Sequence, residues 1–127
     1  GSDVTIVAWM NMVPMALEAA DKLENENLSV EVVDLRTLVP LDKKTVIQSV
    51  IKTGRLVIAH EAVRRGGFGA EIAAMVSNSE AFRHLKAPIT RVANIGAPIP
   101  HNKHLQRAVV PNECNIIEEV RKLIAYK

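Results

Sequence analysis

Two hydrophobic patterns alternate along this chain. Short runs rich in apolar residues are typical of strands buried in a sheet, and they occupy residues 4–9, 30–34, 56–59 and 89–93. After each of the first three runs, and again near the end of the chain, apolar residues are spaced three and four apart, which is typical of one face of a helix. The pattern therefore predicts four strands with helices between and after them.

The predicted helices have local start and stop signals. Pro14 suits the first turn of the first helix, Asp42 is a typical N-cap residue, and Gly54 is a typical helix end. Residues 78–86 are expected to form a helix end and a short connection, and residues 96–104, which hold one glycine and two prolines, an irregular segment. The predicted buried stripes are Val13, Ala16, Leu17, Ala20 and Leu23; Val46, Ile47, Val50 and Ile51; Phe68, Ile72, Met75 and Val76; and Ile116, Ile117, Val120, Leu123 and Ile124.

Strands that alternate with helices predict an α/β fold. We expect a three-layer α/β/α arrangement with a mostly parallel sheet and helices on both faces. The 127 residues suffice for one domain with its own core and not for two. Gly1 and Ser2 are typical of an expression scar, so the domain is expected to cover residues 3–127, and the natural chain to continue upstream of Asp3.

Composition and charge narrow the classes of function. The formal net charge is +2 with basic residues scattered among acidic ones, and aromatic residues make up 3%, which argues against nucleic-acid binding. No apolar run approaches the ~20 residues of a membrane span, and no signal-peptide layout opens the chain. A single cysteine, Cys114, excludes an intrachain disulfide and a cysteine-built zinc site, and it fits a reducing compartment.

The strongest candidate site lies between the third apolar run and the third helical stripe. It contains His60, Glu61, Arg64, Arg65, Gly66 and Gly67. A strand that delivers polar residues into a glycine-bearing loop before a helix is where open α/β sheets place ligands or partners. His60 and Glu61 have the chemistry of an acid–base pair, but adjacent strand residues usually point in opposite directions. For Arg64 and Arg65 three hypotheses stay open: an anion site, a partner-docking patch, or solvated charge.

Arg36, which follows the second strand, is a second candidate. An arginine there can hold a phosphate or a carboxylate with two hydrogen bonds. The alternative is an ion pair with Asp34 or Asp42 that fixes the loop, and spacing alone favours this alternative. No dinucleotide-binding glycine motif or phosphate-binding Gly-Lys-Thr occurs. His101 and His104 supply too few ligands for a metal site.

Four ordered segments carry a resemblance to a known family. They are Asp34-Leu35-Arg36-Thr37-Leu38-Val39-Pro40-Leu41-Asp42, Lys52-Thr53-Gly54-Arg55-Leu56, His60-Glu61-Ala62 and Gly66-Gly67-Phe68-Gly69-Ala70-Glu71-Ile72. Together they resemble the transketolase C-terminal domain, and most of all that of the β subunit in the thiamine-diphosphate-dependent first component of 2-oxo acid dehydrogenase complexes, of the pyruvate or acetoin type.

The resemblance implies that the cofactor and the subunit contacts belong to different domains. In that family thiamine diphosphate and its magnesium are held by other domains, so no cofactor is expected in this domain. The C-terminal domain is implied to serve subunit assembly, with the α subunit and a second β subunit as partners, and docking of the acyltransferase core component. Its compartment would be the cytoplasm of a bacterium, or the mitochondrial matrix or plastid of a eukaryote.

Three hypotheses of function follow. The first is a non-catalytic assembly and docking domain of a 2-oxo acid dehydrogenase β subunit. The full enzyme would decarboxylate a 2-oxo acid and pass the acyl group to lipoyl-lysine. The second, also implied by the resemblance, is a domain of a sugar-phosphate-forming relative in which Arg36 approaches the substrate phosphate at the edge of the channel. The third is a stand-alone anion-binding module built on Arg64, Arg65 and the Gly66-Gly67 loop.

Overall fold

The computed structural model describes residues 1–127 and contains four strands, five α-helices and one 3₁₀ helix. The strands are β1 (Val4–Ala8), β2 (Val30–Asp34), β3 (Leu56–Val63) and β4 (Thr90–Asn94). The α-helices are α1 (Met12–Glu24), α2 (Lys43–Thr53), α3 (Phe68–Ser77), α4 (Lys103–Val109) and α5 (Glu113–Ala125), and the 3₁₀ helix is Glu80–His84. None of the helices is both long and apolar enough to cross a membrane.

The strands form one parallel sheet in the order β2-β1-β3-β4. In the centre of this sheet, Val7 of β1 lies between Val33 of β2 and Ile58 of β3. The predicted parallel sheet and the predicted α/β class are confirmed. The chain runs from β1 to its neighbour β2 and then crosses back to β3, which lies on the other side of β1. The direction of winding therefore reverses between β1 and β3.

Helices cover both faces of the sheet, and each face has its own core. Residues Val4, Ile6 and Ala8 of β1 pack toward α1 and α5, whereas Val7 packs toward α2 and α3. The alternation follows from the two-residue period of a strand, since successive side chains point to opposite faces. It continues in β3, where Ile58 belongs to the α2/α3 core. The next residue on that face is His60.

The structure corrects the sequence prediction at two helices. In α1, Leu17 is 51% exposed, and the buried positions are Met12, Ala16, Ala19 and Leu23. The stripe is rotated because α1 packs against α5 as well as against the sheet. The segment 96–104 is irregular only up to Asn102, whose side chain caps α4. Helix α4 has no buried residue and therefore no apolar stripe by which its sequence would reveal it.

A buried polar network joins α2 to the sheet. The Thr5 hydroxyl of β1 lies 2.8 Å from those of both Ser49 and Thr53 on α2. Ser49 donates to the Glu31 carboxylate at 2.6 Å, and the Lys52 ammonium also pairs with Glu31. Burial opposes ionisation of Glu31, but hydrogen bonds from Lys52, Ser49 and the N-terminal amino group outweigh it and lower the pKa of Glu31 to about 2. The network fixes α2 against β1 and β2 with its buried hydroxyl groups partnered.

Candidate functional site at the carboxyl edge of the sheet

All four strands end at the same edge of the sheet, because they are parallel. We call this the carboxyl edge; it comprises residues 9–11, 35–42, 60–67 and 94–105, which end or follow the strands. In open α/β sheets, ligands bind at this edge where the winding direction reverses. Here the reversal falls between β1 and β3, next to Asn11 and Glu61.

His60 is fully buried at the end of β3. Its imidazole stacks on the Trp9 ring with 5.2 Å between centroids and 5° between planes, and Phe68 meets Trp9 edge-on. Neither ring nitrogen of His60 has a hydrogen-bond partner within the chain. Burial and, to a smaller extent, the positive charge of Arg91 lower the pKa of His60. Both effects favour the neutral form of the imidazole.

The start of α3 lies directly against the His60 ring. A Cβ atom added at Gly67 would lie 2.9 Å from His60 Cε1, and one added at Gly69 would lie 2.6 Å from His60 Cδ2. The two glycines thus allow the helix to approach the ring. Gly66 has a φ of +77°, in the left-handed region, and the space beside it is open. Gly67 and Gly69 therefore serve the packing of α3 on β3, and Gly66 does not.

Glu61 points to the opposite face from His60, as the strand period predicts. Its carboxylate accepts a hydrogen bond of 3.2 Å from Asn11 Nδ2, which joins the ends of β3 and β1. His60 and Glu61 therefore do not face one another, and the geometry does not assemble them into one acid–base pair. Glu61 and Asn11 instead line a surface cavity of about 610 Å³ that α4 and the start of α5 also border. This cavity lies at the winding reversal.

Arg64 and Arg65 line a second cavity, between the ends of β3 and β4. It has a volume of about 670 Å³, and its lining residues are Val63, Arg64, Arg65, Arg91, Ile95 and Gly96. Arg91 Nη1 donates a hydrogen bond of 2.7 Å to the Arg64 carbonyl oxygen. The structure therefore brings three arginines together where the sequence predicts two. Gly66 and Gly67, predicted to accompany the arginines, do not line this cavity.

Arg36 lies apart from these residues, beyond the end of β2. Its side chain is 87% exposed, and its Nε lies 2.9 Å from an oxygen of the Asp34 carboxylate. This is the ion pair that the sequence offers as one alternative for Arg36. A substrate phosphate would have to compete with Asp34, and the role of Arg36 at a channel edge stays a prediction.

The sequence reasoning missed three contributors to the carboxyl edge. Trp9 and Asn11 reach His60 and Glu61 because β1 and β3 are neighbours, and Arg91 reaches Arg64 because β4 pairs with β3. The only available signal was that Trp9 ends the first predicted strand and that Asn11 follows it. No group of three or more His, Cys, Asp or Glu side chains in residues 1–127 is placed to hold a metal ion.

Exposed apolar side chains concentrate at the carboxyl edge. Nine large hydrophobic residues are exposed in the chain, and six of them end or follow a strand there: Met10, Val39, Val63, Ile95, Ile99 and Leu105. Met10 and Ile95 are 76% and 78% exposed. Met10 also has a φ of +53°, in the left-handed region that few residues other than glycine adopt. The edge thus combines apolar side chains with unpaired arginines.

Residues 1–116 match the family model described as "Transketolase, C-terminal domain", and the chain belongs to this family. Its relatives include the "Pyruvate dehydrogenase E1 component subunit beta" of Rickettsia felis, at 46% identity over 99% of this chain, and that of Leifsonia xyli, at 48% over 99%. A "2-oxoisovalerate dehydrogenase subunit beta 2, mitochondrial" of Arabidopsis thaliana is 41% identical over 99%. The resemblance stated from the sequence motifs is confirmed.

The chain spans less than two fifths of the length of these relatives, namely 38%, 37% and 34%. Among solved structures, a "Split gene transketolase, inactive beta4 tetramer" matches all of this chain and 40% of that chain, with a TM-score of 0.84 and 31% identity. A 2-oxoglutarate:ferredoxin oxidoreductase from Magnetococcus marinus matches 97% of this chain and 18% of that chain, with a TM-score of 0.67. Its 17% identity shows a shared fold alone.

Proposed function

We propose that this chain is the assembly and docking domain of the β subunit of a 2-oxo acid dehydrogenase, and that it takes no direct part in catalysis. The full enzyme would oxidatively decarboxylate a pyruvate-like 2-oxo acid on thiamine diphosphate with magnesium and transfer the acyl group to lipoyl-lysine. The observation that carries the proposal is the concentration of exposed apolar side chains at the carboxyl edge. The names of the relatives supply the enzyme class.

Isolated exposed hydrophobic residues are common on proteins and need no explanation. A group of six on one edge differs, because large apolar patches mark surfaces that other molecules cover. Methionine is enriched in protein–protein interfaces, and Met10 is exposed on this edge. We therefore assign the carboxyl edge to contacts within the assembled enzyme.

The partners in this proposal are the α subunit, a second β subunit and the acyltransferase core component. The proposal places the chain in the cytoplasm if its source is a bacterium, and in the mitochondrial matrix or a plastid if it is a eukaryote. Relatives from Arabidopsis thaliana and Pisum sativum have "mitochondrial" in their names, which supports the second case for plants.

Met10→Asp in the full-length β subunit is expected to lower the affinity of this subunit for the α subunit at least tenfold. The charge would be buried without a partner in the interface, whereas aspartate tolerates the positive φ of Met10 and leaves the free subunit folded. Size-exclusion chromatography with light scattering on co-expressed subunits measures the assembled fraction.

Phe82→Asp is the matched control for this experiment. Phe82 is 61% exposed but lies in the 3₁₀ helix, away from the carboxyl edge. The control should assemble like the wild type. Normal assembly of Met10→Asp, or equal losses in both variants, would contradict the assignment of this edge.

The isolated 127-residue chain is expected to bind no thiamine diphosphate at micromolar concentration in the presence of magnesium. The reason is that the proposal places the cofactor and its magnesium in other domains of the enzyme, as the family resemblance implies. Isothermal titration calorimetry measures this, with the full-length enzyme as the positive control. Saturable binding to the isolated chain would show that the cofactor site includes this domain.

A further inference from the structure

The cavity between the ends of β3 and β4 has a marked excess of positive charge. Arg64, Arg65 and Arg91 line it, and no acidic residue does. None of the three guanidinium groups forms an ion pair, whereas Arg36 and Arg121 elsewhere in the chain each pair with a carboxylate. Three like charges around one concavity repel one another, and an anion bound between them would offset this repulsion.

We propose that this cavity is a binding site for a small phosphate-bearing molecule, held by Arg64, Arg65 and Arg91. Guanidinium groups match the oxygen geometry of phosphate and carboxylate and can donate two hydrogen bonds to one group. The cavity volume of about 670 Å³ lies within the usual range of small-molecule sites, ~300–1,000 Å³. Val63 and Ile95 add apolar surface for the organic part of the ligand.

The geometry holds one of the arginines in place before any ligand arrives. Arg91 lies on β4 and is half-buried, and its hydrogen bond to the Arg64 carbonyl oxygen ties the end of β4 to the loop after β3. Only part of its guanidinium is used by this bond, since Nη1 is the donor and the other N–H groups remain free for an anion. Arg64 and Arg65 are exposed at the cavity mouth, where their side chains can reach a bound anion.

The inference does not rest on the proposed assembly function. A subunit that assembles normally can lack the anion site, and a chain that binds anions can fail to assemble. The two proposals therefore fail separately, and the experiment below involves no partner subunit.

Titration of the 127-residue chain with inorganic pyrophosphate, followed by ¹⁵N amide shifts, is expected to saturate at millimolar concentration or below. The largest shifts should lie at Arg64, Arg65, Ile95 and Gly96. Arg91→Gln and Arg65→Gln should each weaken binding at least tenfold. Arg65 makes no hydrogen bond to the rest of the chain, so its variant tests the site even if Arg91→Gln disturbs the fold.

Arg83→Gln is the matched control, since Arg83 is also exposed and without an ion pair but lies in the 3₁₀ helix. It should bind pyrophosphate as the wild type does. Parallel titrations with citrate and with an acidic glutamate-rich peptide distinguish the ligand class. Absence of saturation with pyrophosphate, equal losses in Arg83→Gln and Arg65→Gln, or binding of citrate or the peptide with no binding of pyrophosphate would each overturn the proposal.

Discussion

Gly69→Ala is expected to lower the free energy of unfolding by about 2 kcal/mol, although alanine normally stabilises a helix relative to glycine by ~0.5–1 kcal/mol. The added Cβ would lie 2.6 Å from Cδ2 of the buried His60 ring and 3.3 Å from Ile58 Cγ2. His60 cannot move aside, because it is stacked on Trp9 in the α2/α3 core. Overpacking of this kind typically costs ~1–3 kcal/mol. Urea denaturation followed by circular dichroism measures the change.

Two further variants separate this clash from a general intolerance of α3 to substitution. Ala74 lies on the exposed face of the same helix, so Ala74→Gly should cost about 1 kcal/mol through helix propensity alone. In a double-mutant cycle, His60→Ala removes the ring, and Gly69→Ala should then lose most of its cost, with a coupling of about 1 kcal/mol or more. Equal costs of Gly69→Ala in both backgrounds would show that the His60 ring is not what the helix packs against.

Helix caps and apolar stripes in the sequence predict an element correctly where the residues that carry them are buried or form the cap in the structure. Asp42 caps α2 by accepting from the Thr45 N–H at 3.0 Å, and Gly54 ends that helix with a φ of +75°, both as their sequence positions predict. Helix α4 escaped prediction because none of its residues is buried. Leu17 was assigned to the wrong face because the partner of α1, helix α5, lies about 90 residues further along the chain. Local periodicity carries no information on such a partner.

In the candidate site, too, the features set by neighbouring residues could be predicted from the sequence, and the contacts between distant segments could not. The opposite directions of His60 and Glu61 follow from the strand period, and both lie where the strand–loop–helix pattern places polar groups. The stacking of Trp9 on His60 and the approach of Arg91 to Arg64 depend on strand order, which the sequence pattern does not specify. The sequence pattern predicts a ligand-binding glycine loop, yet Gly67 packs against the His60 ring. Gly67 thus has a packing contact, and the arginines are the part of the predicted site that we propose to bind a ligand.

The buried His60 also predicts a pH dependence of stability. Its pKa in the folded chain is lowered by burial and then by Arg91, so below the ordinary value of 6.5 the unfolded chain binds the proton more readily than the folded chain. The free energy of unfolding should thus fall as the pH drops below 6.5, by up to ~1.4 kcal/mol per pH unit. Chemical denaturation at intervals between pH 7 and pH 5 measures this slope.

His60→Leu should remove this slope, because leucine fills a similar buried volume and cannot take up a proton. His84→Leu, at an exposed histidine of the 3₁₀ helix, should retain it. The window avoids the carboxylates: the contribution of Glu31, whose pKa is lowered to about 2, is present above its ordinary value of 4.5 and is lost only as the pH falls from there toward 2. A slope between pH 6.5 and 5 that survives in His60→Leu would come from another group, and it would contradict the lowered pKa of the buried His60.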